Sequence, residues 1–80
     1  MLDVERFLSE IEPFSYLDKK EIQSIAHNLL VEYYKKGEVI FKEGASPLDF
    51  LYILRSGSLV LEREGEILEY IHEGECFGYL

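Results

Sequence analysis

The sequence predicts a mainly β, α+β fold, with two short helices leading into an antiparallel sandwich or barrel of short strands. Three observations carry that reading. Apolar residues recur at i, i+3, i+4 and i+7 only within the first thirty positions. Beyond Leu30, glycines at 37, 44, 57, 65, 74 and 78 divide the chain into short runs rich in Val, Ile, Leu, Tyr and Phe. Hydrophobic residues make up 48% of 80 positions, with no repeat, low-complexity tract or linker, so residues 1–80 are expected to form a single small domain.

The first helix is predicted over about 3–12. Val4, Phe7, Leu8 and Ile11 share one face, Asp3 is a suitable N-cap, and Pro13 stops the helix. The second is predicted over about 18–29 and is better specified. Asp18 and Glu21 have capping-box spacing, Leu17 and Ile22 that of a hydrophobic staple, and Ile22, Ile25, Ala26 and Leu29 form the apolar stripe. Both stripes are narrow and are expected to pack into a core.

Strands are predicted near Val31–Tyr34, Val39–Phe41, Phe50–Arg55, Ser58–Arg63 and Ile67–Ile71. Turns fall at Lys36-Gly37, Glu43-Gly44, Ser56-Gly57, Glu64-Gly65 and Glu73-Gly74, with Pro47 in a loop. Alternation places Leu59 and Leu61 on one face and Val60 and Glu62 on the other. Five short strands leave open edges, which makes a homodimer through those edges an expectation. The chain stops in the apolar stretch Phe77-Gly78-Tyr79-Leu80, which suggests a sequence interrupted rather than finished.

Charge excludes several function classes. Sixteen acidic against eight basic side chains give a net charge of −8, which repels phosphate backbones and anionic lipid. Neither nucleic acid nor membrane is therefore expected as a partner. The longest apolar run, Phe50 to Leu54, is far short of the roughly 20 residues of a membrane span. No secretory leader is expected from the opening residues, and a single cysteine, Cys76, suits a reducing cytoplasmic setting.

Catalytic and metal chemistry is sparse. Neither glycine-rich phosphate-loop pattern occurs, nor do CxxC or HExxH. His72 and Cys76 lie four apart without a second pair to complete a tetrahedral site, so no metal is expected, and Cys76 is read as a small buried thiol. His27 falls off the apolar stripe and is expected in solvent. Glu62, Glu64, Glu66 and Glu69 cluster in one hairpin, where they are expected to face water. Nothing in the pattern is catalytic, so the chain is not expected to be an enzyme.

The order of the turn motifs resembles the cyclic nucleotide-binding domain family, which includes catabolite-activator-type regulators and kinase regulatory subunits. The matching residues are Pro13-Phe14 and Leu17, Ile25-Ala26 and Leu29, Tyr34-Lys35-Lys36-Gly37-Glu38-Val39-Ile40, Glu43-Gly44, Asp49-Phe50-Leu51-Tyr52-Ile53, Ser56-Gly57-Ser58-Leu59 and Glu73-Gly74-Glu75-Cys76-Phe77-Gly78. The likeness extends over nearly the whole chain and corresponds to the N-terminal two-thirds of the family's domain. It implies a partial antiparallel β-roll of the double-stranded β-helix, or jelly-roll, type over about 31–80.

The resemblance also implies a site. In the family, a cassette of backbone N–H groups at a helix N-terminus and an arginine cradles the cyclic phosphate. The positions that correspond to the ligand-lining ones are Leu61, Leu68, Glu69, Ile71, Phe77, Gly78 and Tyr79. The apolar strand residues among them read more readily as ordinary core, where apolar strand residues usually lie. Phe77 and Gly78 match the start of the cassette, but Tyr79 stands where the family has a ribose-binding glutamate. No arginine follows, since Arg6, Arg55 and Arg63 all precede Phe77.

The function so implied is that of the N-terminal part of a regulatory sensor domain in a bacterial-type signal-transduction protein. Its ligand in a longer parent would be cyclic AMP, another cyclic nucleotide or another small anionic effector. No cofactor is expected, and the 80-residue chain is not expected to hold the ligand itself. Two other readings stay open: a ligand-free interaction or dimerisation module, and the regulatory segment of a nucleotidyltransferase-like or other enzyme.

Overall fold

Leu2–Ser9 form the first helix, α1, in a computed structural model that describes residues 2–42 and 50–78. The structure divides into two compact units, Met1–Tyr33 and Tyr34–Leu80. In the first, α1 packs on α2, Lys19–Asn28, through the predicted stripes. Leu8 is fully buried in α1 and Ile22 and Ala26 are buried in α2, while Val4, Phe7, Ile11, Ile25 and Leu29 are half-buried.

The start of α2 follows from its sequence. The Glu21 N–H donates to Asp18 Oδ1 at 2.9 Å, and the Asp18 N–H donates to Glu21 Oε1 at 3.1 Å. This reciprocal pair satisfies two N–H groups that the helix itself cannot. The start of α1 differs from expectation: Asp3 lies inside its first turn, where its carboxylate favours the positive end of the helix dipole, rather than capping it. α1 also ends at Ser9, short of residue 12, and Phe14–Tyr16 form a turn of 3₁₀ helix after Pro13.

Among its described residues the second unit contains four strands in two antiparallel pairs. β1, Tyr52–Ile53, pairs with β4, Cys76–Phe77, and β2, Leu59–Arg63, pairs with β3, Glu66–Ile71. The β2–β3 loop is a two-residue turn in which Glu64 (φ 51°) and Gly65 (φ 83°) both have positive φ. That is the type I′ geometry whose twist matches a hairpin, and Gly65 adopts it without a Cβ penalty. All four hairpin glutamates are exposed, as charge at an edge predicts.

Three strand predictions are corrected. Residues 31–34 and 39–41 carry no regular secondary structure, although both runs are rich in β-formers. Val31 and Tyr33 stand exposed, the latter at 92%, and no strand among the described residues pairs with either run. A strand exists only with a partner to take its backbone hydrogen bonds, and propensity does not supply one. The predicted Phe50–Arg55 strand contracts to Tyr52–Ile53, while β4 was not foreseen as a strand. The turn at Glu43-Gly44 and the loop at Pro47 lie outside the described residues.

Candidate functional site

The β1–β4 pair sets the position of the predicted cassette start. Tyr52 is opposite Phe77 and Ile53 opposite Cys76. The pairing continues beyond the strands: the Leu54 N–H donates to the Glu75 carbonyl at 3.0 Å, and the Gly74 N–H to the Leu54 carbonyl at 2.8 Å. Just before β4, the Glu75 N–H closes a turn onto the His72 carbonyl at 3.0 Å, and the Glu75 carboxylate accepts from the His72 N–H. One side chain thus stabilises the turn that feeds the strand.

Two features here escaped the sequence reading. The Phe41, Tyr52 and Phe77 rings form a cluster, with centroids 5.1 Å apart for Tyr52–Phe77, 5.9 Å for Phe41–Tyr52 and 6.4 Å for Phe41–Phe77. The Tyr52–Phe77 rings are nearly parallel, at 18°, within the range of favourable stacking. The other feature is Glu73, whose Oε2 accepts from the Gly57 N–H at 3.0 Å and so ties together two turns sixteen residues apart. Cross-strand spacing could have suggested the Tyr52–Phe77 contact. No local signal marks the Glu73 contact, because it depends on where two loops meet.

The seven candidate residues separate into groups. Leu61 and Glu69 are register partners, as are Leu59 and Ile71, so Leu61, Glu69 and Ile71 lie on one face of the hairpin. Ile71 is buried at 9% exposure, whereas Leu61 and Glu69 are exposed. The register shifts between Leu61, opposite Glu69, and Glu62, opposite Ile67, which leaves Leu68 as an extra residue in a bulge. Alternation back from Tyr70 then puts Leu68 on the face opposite Glu69. Leu68 is 53% exposed and does not share the face of Leu61, Glu69 and Ile71.

Phe77 is half-buried in the aromatic cluster, so its ring serves as packing. Gly78 follows with φ 88°, a left-handed conformation open to glycine that turns the chain sharply out of β4. Tyr79 lies outside the described residues. Chemically, a backbone turning through such a glycine can present N–H groups to an anion.

Cys76 is corrected from a buried to an exposed thiol. Partial desolvation pushes its pKa above the ordinary thiol value, which leaves less thiolate at neutral pH and makes it a poor nucleophile. Among the described residues no three His, Cys, Asp or Glu side chains are grouped to hold a metal ion. No helix among them is long and apolar enough to cross a membrane. A shallow concavity of about 340 Å³ on the helical unit is lined by Glu5, Gln23, Ala26, His27 and Leu29, none of which the sequence pointed to as a site.

Comparison with known proteins agrees with the architecture. The family described as "Cyclic nucleotide-binding domain" matches residues 31–80. The chain is 35% identical over 75 residues to a cAMP-dependent protein kinase regulatory subunit of Debaryomyces hansenii, covering 92% of this chain and 16% of that protein. It is 34% identical over 73 residues to a cGMP-dependent protein kinase of Toxoplasma gondii and 32% identical over 73 residues to one of Eimeria tenella, covering 91% of this chain and 7% of either kinase. The chain thus spans less than a fifth of the length of these relatives. No solved structure gives a significant match. Two short helices, antiparallel strand pairs and the family match over residues 31–80 lead to one conclusion: the chain belongs to the cyclic nucleotide-binding domain family.

Proposed function

We propose that the chain is a non-enzymatic regulatory segment that carries the scaffold of a cyclic-nucleotide sensor but does not, as these 80 residues, hold the nucleotide usefully. The observation that supports this is the cassette start. Phe77 and Gly78 match the cassette start by resemblance, yet Tyr79 occupies the position that resemblance assigns to a ribose-binding glutamate, and all three arginines precede Phe77. Charge-assisted hydrogen bonds are worth about 1.5–3 kcal/mol each. Without the arginine–phosphate and carboxylate–ribose contacts, affinity falls by roughly two to four orders of magnitude.

Within a longer protein, the role that suits this scaffold is a population shift. A ligand that binds one arrangement of the roll and its flanking helices more tightly biases whatever output domain is attached. The kinase names of the relatives fit such an output, and the same logic serves any other effector domain.

Calorimetry with cyclic AMP and cyclic GMP tests the reading on the 80-residue chain. The expected result is no saturable heat at micromolar ligand. A micromolar dissociation constant for either nucleotide overturns it.

A further inference from the structure

Hairpin β2–β3 is an unfinished sheet. Among the described residues neither strand pairs with any other, so the outer edge of β3, Glu66–Ile71, offers a row of backbone groups to a further strand. Two-stranded hairpins are marginal in water, and a third strand is what makes them stable. Natural edges are commonly protected by charged side chains, proline or a short strand, and carboxylates guard an edge against acidic strands while leaving it open to cationic ones. β3 is six residues long, contains neither lysine nor proline, and carries only carboxylates as charges.

Its side chains sort by face. Tyr70 is opposite Val60, so Val60 and Tyr70 share one face with Leu68 by alternation, and the bulge brings Ile67, opposite Glu62, to it. Ile67, Leu68 and Tyr70 are 48%, 53% and 58% exposed. The opposite face of β3 carries Glu66 and Glu69, both exposed. From Leu59 to Glu75 there are six glutamates and one arginine.

We propose that the outer edge of β3 receives an extended, cationic protein segment in which lysine or arginine alternates with apolar residues. The alternation has a physical basis: as a third strand, such a segment sets its apolar side chains beside Ile67, Leu68 and Tyr70 and its cations beside Glu66 and Glu69. Opposite charges and apolar pairs across neighbouring strands both favour the register. A second copy of this chain fits poorly, because β3 paired with β3 brings glutamates together and each copy carries a net charge of −8. Nucleic acid and anionic lipid are repelled by the same charge. This surface includes Leu68 and Glu69, two of the positions that resemblance assigns to the ligand, so its test is run without nucleotide.

The test uses the full 80-residue chain and two capped eight-residue peptides, one alternating lysine with leucine and the other glutamate with leucine. Amide shifts are followed by NMR at low and at 0.5 M salt. The expected result is saturable binding of the lysine peptide, with the largest shifts at residues 66–71, loss of affinity at high salt and no binding of the glutamate peptide. The double variant Glu66→Lys/Glu69→Lys is expected to bind the lysine peptide about tenfold more weakly and to gain affinity for its acidic twin. Equal binding of both peptides by the unaltered chain, shifts centred away from β3, or dimerisation of the chain through this edge in sedimentation would each overturn the proposal.

Discussion

Gly65 and Glu73 show how single residues hold the strand unit in register. At Gly65 an added Cβ would meet nothing within 4 Å, so space is not the constraint; the constraint is a φ of 83°. Gly65→Ala is therefore expected to cost about 1–2 kcal/mol through backbone strain alone. Gly65→Asn should recover much of that, because asparagine tolerates the left-handed region. Chemical denaturation of the three proteins checks both values. Glu73 acts at longer range through its bond to the Gly57 N–H. Glu73→Ala should speed hydrogen exchange at the Gly57 amide, and Glu73→Gln, which keeps a carbonyl acceptor, should restore much of the protection. Cys76 gives a pH-dependent readout. Its thiol pKa is raised by desolvation, so the thiolate fraction at neutral pH is smaller than that of a free cysteine. Alkylation by iodoacetamide at pH 7 should accordingly be slower than for a model thiol, with the rate still climbing above the ordinary thiol pKa.

At the scale of elements, the helices are the part most directly written in the sequence. The Asp18–Glu21 box and the Ile22–Ala26 stripe are local signals, and both appear in the structure as read. Their energetics are testable. Leu8→Ala removes the fully buried side chain of the helix pair and should destabilise it by about 2–5 kcal/mol, seen as lost helical ellipticity in a thermal scan. The Glu64-Gly65 turn was equally legible because a two-residue loop of this kind fixes its own hairpin. What sequence could not supply is pairing. Val31–Tyr34 and Val39–Phe41 have strand composition without a partner strand among the described residues, whereas Cys76–Phe77 is a strand because Tyr52–Ile53 lies beside it. The candidate site was legible to the same limited degree. Resemblance groups Leu61, Leu68, Glu69 and Ile71; the register places Leu61, Glu69 and Ile71 on one face, simple alternation sets Leu68 on the other, and the bulge brings Ile67 to the face of Leu68 and Tyr70. Phe77 was found by resemblance, and its stacking on Tyr52 and Phe41 required the fold. Phe77→Ala should abolish much of the near-ultraviolet circular dichroism and loosen the β1–β4 pair, with little effect on the helical signal.

For the whole molecule, the family match, the turn order and the strand pairs describe the scaffold of a cyclic nucleotide-binding domain, while the function proposed above holds that these 80 residues lack a grip on phosphate. These two statements are separable, since backbone scaffolds persist where ligand contacts are absent. One NMR titration of the 80-residue chain with cyclic AMP reads both at once. Dispersed amides for residues 59–71 report the hairpin, and the concentration dependence at the Gly78 amide reports the grip. The account predicts dispersed hairpin signals together with a Gly78 response still unsaturated at millimolar nucleotide. Saturation at micromolar cyclic AMP, with shifts converging on Leu61, Glu69 and Gly78, would contradict it.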